Sequence, residues 1–297
     1  MLNNPIGVHA GLWVGDWTNE SAAYAITESA RAGFDLIEIP AGDAAGIDVE
    51  VTTRLLADNG LSAVFSLALP EGADINDEDP AVVARGEHLL DAAVRVARDC
   101  GSTYVGGVTY SKMGHYSHPP TARSRANSQA ALARVAERAR AAGVTIGLEF
   151  VNRYESNLLN TAQQTVEFIR EIGAENLAVH IDTFHVNTEE PDQVTPVRVA
   201  GPLLAYVHAG ENHRGYLGSG SIDWPALFKA LQIAGFRGPI TFESFSGAVL
   251  DPDLSHTLGL WRNPWTDPAA VATHARRFIA AQLEAAAATS SFLPVVD

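Results

Sequence analysis

Eight short apolar runs punctuate the chain, and stretches with apolar residues at helical spacing separate them. Strand-like runs fall at 6–10, 34–40, 61–69 and 103–110, followed by VTIGLEF, LAVHID, LAYVHAG and PITFES. The last four are continuous in Val, Ile, Leu and Phe instead of alternating, as expected of strands buried on both faces. Helical spacing covers roughly 19–32, 48–59, 80–100, 121–142, 161–172, 223–235 and 267–287. The later runs lie roughly 30 residues apart, the length of a strand plus a crossover helix. The alternation predicts an α/β chain whose parallel strands close into a single (β/α)8 barrel, with its chemistry at the C-terminal ends of the strands.

Punctuation supports the element boundaries. Asp223 before Trp224-Pro225 predicts an N-cap ahead of a first-turn proline. Thr161 with Gln164 predicts a capping box. Gly33, Gly60, Gly143, Gly173 and Gly235 each follow a helix and precede a strand, where a left-handed residue is wanted. The helix between the sixth and seventh strands is the weakest, because PDQVTPVRVAG is short and interrupted by Pro196.

At 297 residues the chain fits one barrel domain spanning 1–297, and no linker or composition shift divides it. The segment 245–266 is long for a connection and predicts a lid, a pocket wall or a subunit contact, with Trp261 and Trp265 as part of it. The tail after about 288 is expected to fray. A net charge of −15 opposes binding to nucleic acid or an anionic membrane. No apolar stretch is long enough to span a membrane, and the N-terminal residues do not resemble a secretory signal, so a cytoplasmic protein is expected. The single cysteine, Cys100, excludes an internal disulfide and reads as a packing residue at a helix end.

Glu149, Asp182, His208 and Glu243 each stand at the C-terminal end of one of the last four runs. A barrel would bring all four to one mouth. Three carboxylates and an imidazole form a hard, mostly oxygen donor set suited to Mn²⁺, Mg²⁺ or Co²⁺. Such a site suits a neutral chelating ligand, for example the adjacent carbonyl and hydroxyl oxygens of a sugar. A metal on the carbonyl oxygen acidifies the neighbouring C–H. Glu149 and Glu243, from the fifth and eighth strands, could then serve as base and acid on opposite faces of one carbon, which is epimerisation. Other motifs lead nowhere: GSGS at 218–221 precedes no Walker lysine, and no G-x-S-x-G elbow is present. His115 and His118 read as loop histidines, and His88 as a mid-helix one.

The stretches LEFVNRYESNLLNT, HIDTFHVNTEE, YVHAGENHRGYLGSGSIDW, PITFESF and LWRNPW resemble the ketose 3-epimerases of the sugar isomerase and epimerase TIM-barrel superfamily, the group that includes D-tagatose 3-epimerase and D-psicose (D-allulose) 3-epimerase. The resemblance runs over nearly the whole chain. It implies that Glu149, Asp182, His208 and Glu243 bind Mn²⁺ or a similar ion, and that Glu149 and Glu243 are the acid/base pair at C3 of a free ketose such as D-tagatose, D-psicose, D-fructose or L-ribulose. It also implies that Glu155, His185 and Arg214 hold the O1 to O3 end of the ketose and its enediolate. Trp13, Ser66, Met113 and Phe245 fall where the family lines its pocket, and a homodimer or homotetramer is expected. Glu38, near the end of the second strand, is expected at the rim, making a supporting hydrogen bond and taking no part in catalysis. The alternatives are another reaction on the same barrel, such as aldose–ketose isomerisation or cleavage of an oxidised sugar glycoside, or a non-enzymatic sugar-binding or DNA-lesion-binding barrel. A hydride-shift isomerase would need a lysine near the mouth, and Lys112, the sole candidate, reads as a loop residue.

Overall fold

In the computed structural model, which describes residues 4–250 and 252–290, the eight runs become strands β1 (Ile6–His9), β2 (Leu36–Pro40), β3 (Ser62–Ser66), β4 (Tyr104–Gly106), β5 (Thr145–Glu149), β6 (Leu177–Asp182), β7 (Leu204–Ala209) and β8 (Ile240–Phe242). Neighbours in sequence pair in parallel, and β8 pairs with β1 to close the barrel. Outside it lie α1 (Asn19–Arg31), α2 (Val49–Asn59), α3 (Pro80–Asp99), α4 (Ala122–Ala141), α5 (Ala162–Ile172), α6 (Thr183–Glu189), α7 (Thr195–Ala200), α8 (Trp224–Ile233), α9 (Pro252–Thr257) and α10 (Pro268–Ser290). The expected frayed tail is helical as far as Ser290, and its remainder, 291–297, lies outside the described residues.

Strand alternation divides the core in two. Outward residues such as Ile37, Ile39, Val179, Ile181 and Val207 pack under the helices with no exposed surface, each contributing about 1.5–3 kcal/mol. Inward residues Leu36, Val64, Tyr104 and Tyr206 form a separate cluster inside the barrel. Two inward glycines make room for it. A Cβ on Gly147 would sit 1.8 Å from the Tyr104 hydroxyl, and one on Gly7 would sit 2.4 Å from Leu36 Cδ1.

The predicted caps form. Thr161 and Gln164 make a capping box at α5, and Asp223 accepts from Ala226 N with Pro225 in the first turn of α8. All five predicted helix-end glycines have positive φ, from 66° to 83°. Several boundaries differ from expectation, among them that of the run 61–69, which is strand only over Ser62–Ser66, and two differ for visible reasons. The expected run 103–110 leaves the sheet after Gly106, because Gly107 turns with φ 101° and passes so close to Leu67 that a Cβ would sit 2.3 Å from its carbonyl oxygen. The segment between β6 and β7 forms two short helices instead of one: α6 stops before Pro191, and α7 starts with Pro196 in its first turn.

Candidate metal centre and active site

Register brings the quartet together. Asp182 pairs directly with His208, Glu149 pairs with His180 two residues before Asp182, and Glu243 follows Phe242, the partner of Ala209. One donor atom from each of Glu149, Asp182, His208 and Glu243 lies within 4.8 Å of the others, and all four residues are buried. His208 Nδ1 is 3.3 Å from Glu149 Oε1 and 3.5 Å from Glu243 Oε1. Asp182 also caps α6, its Oδ1 accepting from Phe184 N at 2.9 Å, which fixes the carboxylate's orientation.

Charge shows what this cluster lacks. Burial first, then the carboxylates of Glu243 and Asp182, push Glu149 up to about 8, although His208 pulls the other way. Burial opposes a charge on His208, yet Glu243, Glu38 and Glu149 hold its pKa well above the ordinary imidazole range. Burial and crowding of negative charge thus favour a proton on Glu149 and a second on His208. A divalent cation would supply the positive charge instead, and the donor set of three carboxylates and one imidazole fits a hard ion.

Arg214 reaches in from the loop after β7. Its Nη1 donates to Glu243 Oε2 at 2.7 Å, and its Nη2 lies 2.9 Å from Asp182 Oδ2. The guanidinium stacks 4.1 Å from the Phe184 ring centroid. Burial opposes charge on Glu243, but His208 and Arg214 hold its pKa below the usual carboxylate value. His185 Nδ1 accepts from the Asn152 backbone N–H at 3.2 Å, so its hydrogen is on Nε2, which points toward Asp182 Oδ2, Glu149 Oε1 and Glu155 Oε2 at 3.6–3.9 Å. Burial pushes His185 down to about 3, which keeps it a neutral donor. Glu155 is anchored by Asn152 Nδ2 at 2.8 Å.

These groups form the floor of a cavity of about 640 Å³, and Ser66, Met113 and Phe245 line it as expected. Trp13 does not. The chain leaves β1 through a tight turn at Ala10–Leu12 that swings Trp13 into the core, 5% exposed, while Val14 and Trp17 face the cavity. The 245–266 segment contributes a wall, but through Leu250, Leu254, Leu258 and Leu260. Trp265 is buried with its Nε1 donating to Ser244 Oγ, and Trp261 is 79% exposed. Glu38 is 1% exposed, deeper than the expected rim position but still lining the cavity, and makes the expected supporting hydrogen bond, accepting from His208 Nε2 at 2.7 Å.

Sequence reasoning passed over Phe184, Asn152, Trp17, His180 and Glu211. His180 sits within an apolar run on the same face as Asp182, two residues away, a spacing that marks it as inward. Glu211 is buried beneath the GSGS loop and accepts from Gly218 N, Ile222 N and Trp224 Nε1. The glycines of that loop allow the approach, since a Cβ on Gly220 would sit 2.5 Å from Glu211 Oε1. His88, His115 and His118 are exposed, Cys100 is a buried helix cap, and Lys112 pairs with Glu71 away from the cavity.

A model of the xylose isomerase-like TIM barrel family matches residues 26–282. A ketose 3-epimerase of Arthrobacter globiformis is 46% identical over 280 residues, 94% of this chain and 97% of the relative. An L-ribulose 3-epimerase of Mesorhizobium japonicum is 44% identical over 281 residues, 95% of each chain. The solved structure of a D-allulose 3-epimerase from Methylomonas sp. in complex with D-allulose matches with a TM-score of 0.92 at 44% identity, across 94% of this chain and 97% of that one. The chain belongs to the xylose isomerase-like TIM barrel family and, within it, to the ketose 3-epimerases.

Proposed function

We propose that this protein inverts C3 of a free ketose, of the D-allulose, D-tagatose, D-fructose or L-ribulose type, using a divalent cation held by Glu149, Asp182, His208 and Glu243. The observation that carries the reading is the placement of two glutamates from β5 and β8, each within 3.5 Å of His208 Nδ1, on the floor of a cavity of about 640 Å³. The similarity to a ketose 3-epimerase, an L-ribulose 3-epimerase and a D-allulose 3-epimerase supports a ketose as the substrate class.

An ion such as Mn²⁺ would draw electron density from the C2 carbonyl oxygen and lower the cost of negative charge there. The protein's own groups then move the proton. Glu243, kept ionised by Arg214, removes the C3 proton; the C–H electrons form the C2–C3 double bond and the carbonyl electrons move onto O2. Glu149, which burial favours in its protonated form, returns a proton to the opposite face. The reverse substrate uses the pair in exchanged roles. His185 and Arg214 donate toward the region where the enediolate's charge collects, which orients and stabilises it. Apolar Met113, Phe245 and Leu258 surround the rest of the cavity.

Glu243→Gln tests the reading, because the amide keeps an oxygen for the ion but cannot take a proton. The expected outcome is Mn²⁺ binding retained with epimerisation reduced about 10²–10⁴-fold. Near-normal turnover would remove Glu243 from the acid/base pair.

A further inference from the structure

The buried carboxylate of Glu38 belongs to none of the donor groups found among the described residues, yet it touches one of the four. Its Oε2 accepts from His208 Nε2 at 2.7 Å and from the Tyr206 hydroxyl at 2.8 Å. The Tyr206 oxygen is in turn 2.5 Å from Thr241 Oγ1. With Tyr206 donating to Glu38, the hydrogen on that second contact comes from threonine. The chain Thr241, Tyr206, Glu38, His208 thus crosses the barrel interior from β8 and β7 to β2 and back.

We infer that Glu38 is the positioning residue that makes His208 a metal ligand, by holding its hydrogen on Nε2 and its bare lone pair on Nδ1. This rests on the metal-dependent reading above. A carboxylate only accepts, so the contact places a hydrogen on Nε2. Nδ1 is the nitrogen that faces Glu149 Oε1 and Glu243 Oε1, where the ion would sit. Tyr206 and His208 stand two apart on one strand and bind the same oxygen, so Glu38 fixes ring rotation as well as tautomer. Nothing in packing asks for a charge here. The neighbouring inward residues Leu36 and Val64 are apolar, and a well-packed apolar side chain generally serves a core at least as well as a buried ion.

The test is the Mn²⁺ dissociation constant of EDTA-stripped protein, read from the EPR signal of the free ion. Glu38→Gln keeps the shape and an acceptor but loses the charge, and is expected to weaken Mn²⁺ binding about tenfold; Glu38→Leu, which removes the acceptor, is expected to weaken it about a hundredfold. Val64→Ala disturbs the same interior layer without touching the chain of hydrogen bonds, and wild-type affinity is expected there. Wild-type affinity in Glu38→Gln would overturn the inference, and so would a loss in Val64→Ala equal to that in Glu38→Gln. Should Glu38→Leu fail to fold, the comparison of Glu38→Gln with Val64→Ala decides. Wild-type protein that binds no Mn²⁺ would reject the metal reading itself, and that result appears before any substitution is made.

Discussion

Arg214 is the one non-glycine residue with positive φ among the described residues, at 57°. A left-handed arginine costs roughly 1–2 kcal/mol of backbone energy, and the return is a guanidinium that bridges Glu243 and Asp182 while lying on Phe184. Lysine offers a single point charge with no planar fork, so Arg214→Lys is expected to lower kcat/KM about tenfold to a hundredfold, with protein fold and Mn²⁺ binding retained. Steady-state kinetics beside a metal titration checks this; unchanged kinetics would mean the bridge does not act on substrate. The convergence of Glu149, Asp182, His208 and Glu243 was legible at this scale because each member breaks an apolar run at its C-terminal end. Arg214, His185 and Glu155 were legible through family resemblance alone, since loop residues carry no periodicity. Trp13 and Glu38 were misplaced for related reasons. A run of apolar residues gives a strand without its depth in the barrel, and a single tight turn reverses which side a residue faces.

Elements were easier to read than residues wherever local chemistry ends them. The capping box of Thr161 is such a case, its Oγ1 accepting from Gln164 N while the Gln164 side chain accepts from Thr161 N. Thr161→Ala is expected to cost about 1 kcal/mol, seen as a lower urea midpoint with kcat unchanged, because neither Thr161 nor Gln164 lines the cavity. A change in kcat with no loss of stability would contradict that assignment. Element reading failed where tertiary contact, and not local preference, decides the boundary. Gly107 leaves the sheet because of its approach to Leu67, whereas the split into α6 and α7 follows from Pro191 and Pro196, a local signal that marked the weak helix without showing that a second one precedes it. The wall of leucines after β8 was likewise expected as a segment but not by residue.

At the scale of the whole molecule, the alternation of strand and helix fixes the barrel, and the barrel brings four sequence-distant candidate ligands into one site. That site leaves a pH signature on stability. Glu149 is pushed up to about 8 and His208 well above its usual value, while burial keeps His9, His180 and His185 neutral. Between about pH 7 and 8 those three are mostly neutral in the unfolded chain as well, so there the metal-free folded protein binds more protons than the unfolded chain. Stability must therefore fall as pH rises through this window. Bound Mn²⁺ would supply the missing positive charge, so the thermal midpoint should rise more on adding Mn²⁺ at pH 8 than at about pH 7. Melting curves in EDTA and in Mn²⁺ at both pH values check the sign, and a metal-free protein that gains stability toward pH 8 would contradict it. The most direct measurement is NMR of EDTA-stripped protein with and without Mn²⁺, given D-allulose, D-tagatose, D-fructose and L-ribulose in D₂O. Metal-dependent deuterium at C3 together with the C3 epimer is the expected result. An aldose product without a C3 epimer, or epimer formed with no deuterium from solvent and no need of metal, would contradict proton transfer between Glu149 and Glu243.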